Sequence, residues 1–403
     1  MTAHQPRSDS DSNSGTGDQE SQQLPDVVLT LMGTWQAAAR RDFSFSEDRL
    51  AASLLGGRHA RHVLICDSFR NGPRKLASAL RGRTEAAFPE SSLAAHYGPI
   101  RVGRAAPRSL KGTRRACAAY ERGIRRAAAR RGLEQPFVIT ANPLVAGFCD
   151  FSWAGPVTYY AWDDPESYEP FRKWWPLYGE AFKCLREKRR RVVMVGEEGI
   201  RRLRPTGPYA VVPNGVDPAE WQHLPPPPEW YANQPQPRLL YLGSLESRVD
   251  THQLHSLATA FPTGSITLVG GLMDPAHFET LRDIPNITFH PAVSRRDIPG
   301  LLAHADVGLV PHHRTAFTEC ISRPLKVYEY LAAGRPVAAV ATHPGLAGLS
   351  DRVIIIEPGG NMVAAVQRAL ALGSQPEPDR LKFVAEHSWE RRFDALVKVA
   401  FAQ

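Results

Sequence analysis

Apolar side chains in this chain fall in short unbroken runs, each closed by a glycine or a polar turn residue, with longer mixed stretches between them. The first run is Asp26-Val-Val-Leu-Thr-Leu-Met32, which ends at Gly33. Such a run predicts a strand buried on both faces, as in a parallel sheet covered by helices. Residues 46–56 start with a capping serine, place Glu47 and Asp48 in the first turn and end in glycines, which predicts a helix. Residues 62–67 predict the next buried strand. Strand–helix–strand order opens a parallel sheet. Residues 137–140 and 157–161 continue it, and 191–195 and 209–213 supply its last strands.

The alternation then stops. Residues 223–237 hold six prolines and predict a semi-rigid, extended interdomain link. Strands restart at 239–243 and recur at 265–271, 287–290, 307–310 and 337–340, with helices at 250–260, 298–305 and 389–401. Residues 1–24 are polar and almost without large apolar side chains, the composition of a disordered tail. The expected architecture is α/β, with two Rossmann-like domains facing a cleft. They span 25–222 and 238–385, joined by 223–237. Ligands in such sheets sit at the carboxyl ends of the strands.

The stretch Arg323-Pro-Leu-Lys-Val-Tyr-Glu-Tyr-Leu-Ala-Ala-Gly-Arg-Pro-Val337 reads as a helix aimed at an anion. Pro324 suits the first helical position, where its missing N–H costs nothing. Gly334 suits the left-handed residue that ends a helix, and Pro336 blocks continuation. Lys326 falls in the first turn, where unpaired backbone N–H groups and the positive end of the dipole favour phosphate. Glu329 lies one turn on, on the same side. A lysine and a carboxylate so placed can hold a diphosphate and the ribose beside it.

Other features are less specific. Gly243-Ser-Leu-Glu-Ser-Arg248 follows a predicted strand, so its loop opens at the ligand end, and Arg248 could make two bonds to a diphosphate. Leu268-Val-Gly-Gly271 is a similar turn, and Gly270 permits the bend without forming a dinucleotide fingerprint. Asp163 and Asp164 follow the strand at 157–161. Neighbours on an extended chain point to opposite faces, so at most one meets a given pocket. It could take a proton from an attacking hydroxyl, though Asp-Asp-Pro is also turn chemistry. Arg314, or a histidine beside it, suits the lining of a polar pocket better than a metal site.

Charge and composition narrow the partners. The formal charge of +8 favours anions such as nucleotides or phosphorylated substrates without choosing among them. Residues 183–191 and 125–131 are basic and read first as solvated helix faces. With Trp174 and Trp175 nearby, the former leaves contact with an anionic membrane open. Five scattered cysteines without CxxC spacing suit free thiols in a reducing cytosol. No apolar run approaches the ~18 residues of a membrane span. The expectation is a cytoplasmic protein, with contact at the inner membrane face left open. No nucleic-acid, P-loop or HExxH motif appears, so neither nucleic-acid binding nor a metal is expected.

Residues 324–337 resemble the nucleotide-binding signature of GT-B glycosyltransferases, nearest to the GT4-type group that includes teichuronic-acid and exopolysaccharide enzymes. Val212-Pro-Asn-Gly-Val-Asp217, Leu242-Gly-Ser-Leu245, Arg248-Val-Asp250, Ala305-Asp-Val-Gly-Leu-Val-Pro311 and Ser388-Trp-Glu390 also resemble it. The likeness covers most of residues 155–403 and is thinner over 25–150. It implies a retaining transfer of sugar from a nucleoside-diphosphate donor to a hydroxyl or amine, without a metal or other cofactor. The product would be a cell-surface polysaccharide or a specialised metabolite. It implies a UDP-, GDP- or dTDP-sugar held by the C-terminal domain and a sugar or small-molecule acceptor, lipid-linked ones included, held by the N-terminal domain. The last helix, within 386–403, is expected to pack back on the first domain.

By motif position, the resemblance assigns Glu329 to the ribose hydroxyls and Arg248 and Lys326 to the leaving diphosphate. Asp163 is assigned to the acceptor, as base or positioning group. The implied donor-binding set is Gly33, Gly243, Ser244, Gly270, Arg314, Glu319, Ser322, Leu325 and Glu329. The pattern departs at one place. Many members carry a glutamate where this chain has Ile321, and Glu319 or Ser322 is the substitute here. Two alternatives stay open, a nucleotide-sugar-binding protein without catalysis and a sugar-nucleotide epimerase on the same fold.

Overall fold

The structure, a computed structural model, describes residues 24–68, 70–71, 87–101, 107–161, 164–321 and 323–402. Strands of the N-terminal half are β1 Val27–Thr30, β2 Val63–Cys66, β3 Arg70–Asn71, β4 Ala94–Tyr97, β5 Ile100–Arg101, β6 Phe137–Thr140, β7 Val157–Ala161, β8 Arg191–Met194 and β9 Tyr209–Val211. Those of the C-terminal half are β10 Arg238–Leu242, β11 Ser265–Val269, β12 Ile287–His290, β13 Val307–Val310, β14 Val337–Val340 and β15 Val353–Ile356. A seven-stranded sheet runs β4-β2-β1-β6-β7-β8-β9, a six-stranded sheet runs β12-β11-β10-β13-β14-β15, and β3 pairs with β5. Every pairing in these sheets is parallel. The molecule therefore has the expected two Rossmann-like α/β layers.

The unbroken apolar runs are buried on both faces. All residues of β1, β2, β7, β11, β13 and β14 are buried. Each sheet changes its direction of travel once. The first does so at β1, which lies between β2 and β6, and the second at β10, which lies between β11 and β13. At such a switch the two flanking connections leave on opposite faces and open a crevice beyond the strand ends.

The last helix, Trp389–Ala400, begins at Ser388, whose side chain accepts from the Arg391 N–H. Trp389, Phe393, Leu396 and Ala400 of this helix pack into the first domain's core with Leu29, Leu50 and Val193. Each large side chain so buried contributes about 1.5–3 kcal/mol, enough to hold the chain's end across the domain boundary.

Three local expectations are corrected. Pro324 precedes the helix as its N-cap, with ψ 137°, and Leu325 is the first helical residue. Residues 223–237 are not a free spacer. They include a helical turn, Glu229–Ala232; Tyr231 is fully buried, and Trp230 stacks on His290 with ring centroids 3.7 Å apart. The apolar faces of these two aromatics outweigh the stiffness of their prolines and bind the segment to the second domain. Residues 183–191 are not simply a solvated face. Lys188 and Arg190 donate to the Cys149 carbonyl at 2.8 and 3.1 Å, and Arg186 donates to the Leu203 carbonyl. These cations satisfy loop carbonyls that would otherwise lack partners.

Candidate functional site

The site grows from the helix Leu325–Ala332 and the loops that follow β10, β11 and β13. Tyr330 locks the helix to β10. Its hydroxyl donates to the Leu240 carbonyl and accepts from the Leu242 N–H, both at 2.9 Å. Gly308 on β13 makes room for that ring, because a Cβ there would sit 2.4 Å from it. The clamp fixes the helix start against the loop Gly243–Ser244. Gly243 and Gly270 have φ of 139° and 154°. A Cβ on Gly270 would lie 1.9 Å from the Gly243 carbonyl oxygen, so the two loops touch backbone to backbone as only glycine permits.

Lys326 lies in the first turn of the helix. It is half-buried, but its ammonium is enclosed and has no hydrogen-bond partner among the described residues. The nitrogen sits 3.9 Å from the Tyr241 ring centroid. A Cβ on Gly243 would come within 2.8 Å of it, so this glycine leaves the ammonium its space. Burial, reinforced by the nearby Arg248 charge, drives its pKa well below the ordinary lysine value. An enclosed, unpaired cation costs free energy until an anion arrives.

Beneath it lies a neutral polar floor. Tyr241 Oη is 3.3 Å from His312 Nε2, and His312 Nδ1 is 3.0 Å from His343 Nε2. Burial and then the Lys326 charge depress both histidines, His343 to about 3. They are uncharged at neutral pH and add no competing charge.

Arg248 stands where the domains meet. Its Nε pairs with Glu246 Oε1 at 2.9 Å, and its guanidinium lies 5.6 Å from the Phe317 ring centroid. Tyr168, from the other domain, donates to Glu246 Oε2 at 3.2 Å.

Glu329 is buried and paired with Arg295. Arg295 also contacts Glu220, which Arg49 of the first domain reaches from its other side. Burial opposes the Arg295 charge, yet Glu329 and Glu220 outweigh it and raise its pKa. Glu329 offers Arg295 the oxygen Oε1 and still lines the cavity. A carboxylate has about four acceptor positions, so a ribose hydroxyl can be held beside the arginine.

The first domain contributes the loop after β1 and the helix Ser46–Leu55. Glu47 is fully buried and accepts from the Met32 N–H at 2.8 Å. Burial raises its pKa to about 7 against the pull of that bond and of Arg41. Ser46 donates to Asn214 at 2.8 Å, and Asn214 donates to the Arg323 carbonyl just before the helix Leu325–Ala332.

Two cavities result, one at each topological switch. The first, about 420 Å³, is lined by Gly243, Ser244, Gly270, Arg248, Leu325, Lys326 and Glu329, with His312 and Ile321. The second, about 390 Å³, lies off β1, β6 and β7 and is lined by Met32, Ala141, Tyr159, Asp164 and Tyr168 among others. Phe45, Ser244 and Arg248 belong to both linings, so the cavities meet at these residues. A group bound in one can be passed to a group bound in the other there.

The expected residues divide accordingly. Gly243, Ser244, Gly270, Arg248, Leu325, Lys326 and Glu329 converge. Arg314 and Glu319 do not. They pair with each other at 3.3 Å, and Arg314 donates to the Ala341 carbonyl. Ile321 itself lines the cavity that Glu319 was expected to reach, because on the helix Ala316–Ile321 residues two apart point to different sides. Gly33 lines neither cavity, whereas Met32 of the same loop lines the second. Asp163 and Ser322 lie outside the described residues. Its neighbour Asp164 lines the second cavity and is held by Arg202 Nε at 3.5 Å. Sequence reasoning missed Arg295, Glu220, Glu47, Tyr330 and Asn214. Tyr330 and Asn214 lay in quoted motifs but carry no charge to mark them, and the partners of Arg295 and Glu220 are far away in sequence.

Comparison with known proteins bears on this geometry. Residues 236–372 match the family described as glycosyl transferases group 1. A stretch of 99 residues is 24% identical to the putative teichuronic acid biosynthesis glycosyltransferase TuaH of Bacillus subtilis (strain 168); it covers 24% of this chain and 25% of that protein. The match thus spans about a quarter of that relative's length. Among solved structures, the OtsA apo structure aligns with a TM-score of 0.66 at 12% identity, over 94% of this chain and 99% of that one. Anabaena Alr3699/HepE in complex with UDP aligns with a TM-score of 0.58 at 14% identity, over 93% and 99%. The fold is the two-domain α/β fold of these solved structures, and the sequence matches, each over part of the chain, are to glycosyltransferases.

Proposed function

We propose that this chain, a GT-B protein whose residues 236–372 match a glycosyl transferases group 1 domain, moves a sugar from a nucleoside diphosphate to an acceptor hydroxyl. One observation carries the reading. The enclosed Lys326 ammonium, without a hydrogen-bond partner among the described residues, sits at a helix start, beside Arg248 and two glycine loops, on a cavity that opens into a second one. Breaking an anomeric C–O bond puts negative charge on the departing diphosphate. A fixed cation and aligned helix N–H groups stabilise that charge most in the transition state. Glu329 holds the ribose while Arg295 keeps the carboxylate in place.

The donor lies in the 420 Å³ cavity and the acceptor in the 390 Å³ cavity. The acceptor hydroxyl attacks at their junction, by Ser244 and Arg248. The transfer retains anomeric configuration, with the departing phosphate oxygen taking the acceptor proton. No metal enters this scheme. The two cations neutralise the leaving group.

A thermal-shift screen against UDP, GDP and dTDP tests the donor site, because a ligand of the folded state raises apparent stability with its affinity. Turnover of the matching nucleotide sugar tests the chemistry. Binding without turnover over an acceptor panel would favour a nucleotide-sugar-binding protein, the reading that Ile321 in the cavity wall leaves room for. The complex of HepE with UDP makes UDP the first nucleotide to try.

A further inference from the structure

The second cavity has a chemistry of its own. Ten of its fourteen described lining residues are apolar or aromatic. Met32 and Phe45 come from the first domain's loops, Pro143 from the start of its helix Pro143–Phe148, Tyr168 and Phe171 from the segment after β7, and Phe317 from the second domain. The last three form one aromatic wall. Tyr168 lies 4.6 Å from Phe317 and 5.2 Å, edge-on, from Phe171, centroid to centroid.

The four polar lining residues are mostly engaged. Asp164 is held by Arg202, and Glu246 by Arg248 and Tyr168. Ser244 and Arg248 stand at the junction with the donor cavity, where the leaving diphosphate needs them. No other cation lines this cavity among the described residues. A phosphorylated sugar placed here would lose water from its phosphate with nothing to replace it. A free sugar would set several hydroxyls against aromatic faces. A flat or ring-bearing apolar body would instead gain burial against the wall.

We infer that the acceptor is an apolar, ring-bearing alcohol or phenol without a phosphate, seated against Tyr168, Phe171 and Phe317 with its hydroxyl at the Ser244–Arg248 junction. This rests on the glycosyltransferase reading above. The acceptor oxygen bonds to the anomeric carbon as the carbon–oxygen bond to the diphosphate breaks. The diphosphate leaves with the bonding pair, and the acceptor proton passes to it. Phe45 is 44% exposed for a large apolar side chain, which an acceptor crossing the cavity mouth would cover.

The experiment uses the full chain and three probes: 2-naphthol as a soluble aromatic alcohol, 1-decanol as a lipid-chain alcohol, and glucose 6-phosphate. Binding of each is read by calorimetry with and without UDP, and transfer is read with a turned-over nucleotide sugar. Saturable binding and glycosylation of 2-naphthol, weakened tenfold or more in Phe171→Asp, is the expected result. Decanol outperforming naphthol would overturn the ring-bearing assignment. Glucose 6-phosphate binding or reacting better than both would overturn the inference. Nucleoside diphosphate shifts in Phe171→Asp should match the wild type, which shows that the variant folds. If no nucleoside diphosphate binds the wild type, the glycosyltransferase reading fails, while naphthol binding still reports on the cavity.

Discussion

Replacing Lys326 with methionine should move stability and activity in opposite directions. Methionine keeps most of the side chain's volume and removes the charge. In the ligand-free protein the ammonium has no hydrogen-bond partner among the described residues, sits near Arg248, and is compensated by the Tyr241 ring at 3.9 Å. A cation over an aromatic face is worth about 1–2 kcal/mol when desolvated. Exchanging buried charge for a well-packed apolar group commonly stabilises by ~1–4 kcal/mol. The net expectation is a gain of about 0–2 kcal/mol, or up to several degrees in Tm at ~2–4 °C per kcal/mol for domains of this size. The same change strips a positive partner from the leaving diphosphate. Loss of one preorganised donor to developing negative charge costs about 2.7–4 kcal/mol, or a 10²–10³-fold fall in kcat. The assay pairs thermal denaturation, with and without nucleoside diphosphate, with steady-state turnover. A kcat within threefold of wild type, or a ligand-free Tm that falls by several degrees, would refute the idea that this ammonium waits for an anion.

Other expectations concern the scaffold. Glu47 has its pKa raised from 4.5 to about 7. The folded state therefore binds the extra proton, and its contribution is fully present below about pH 4.5 and lost as pH rises through 7; Glu47→Gln should flatten the pH profile of chemical denaturation in that window, and an unchanged slope would rule out this carboxyl. Gly270→Ala forces a Cβ to 1.9 Å from the Gly243 carbonyl at a φ of 154°; it should abolish the nucleoside diphosphate thermal shift while circular dichroism keeps the helix content. Arg295→Ala leaves buried Glu329 without its cation and Glu220 with Arg49 alone; a loss of about 3–5 kcal/mol is expected for such a break, measured by denaturant titration, and a loss under 1 kcal/mol would contradict the network. Tyr330→Phe removes two hydrogen bonds to β10. It should lower stability by about 1–3 kcal/mol and weaken donor binding; unaltered nucleotide affinity would show that the clamp does not position the loop.

The amino-acid sequence by itself determined the layered architecture. Runs such as Val27–Thr30, Ser265–Val269 and Val337–Val340 contain little that water could solvate, so they can be stable only when covered on both faces, and the intervening helices supply the cover. It also placed Lys326 in the first turn of a helix closed by Gly334, because these positions act through local backbone geometry that neighbours in sequence set. Edge strand β4, Ala94–Tyr97, was not legible, since its small and polar residues carry weak apolar signal.

Tertiary structure decided what depends on distant partners. Glu329 and Arg295 are 34 residues apart, and Arg49 and Glu220 are 171 apart; no local rule pairs them. Whether Glu319 or Ile321 faced the cavity depended on the rotation of a short helix, which the pairing of Arg314 with Glu319 and the burial of Phe317 and Cys320 settle. The apolar second cavity joins aromatic residues from segments separated by more than a hundred positions. Local propensity fixes which faces are apolar, and only packing of the two domains fixes which of those faces meet.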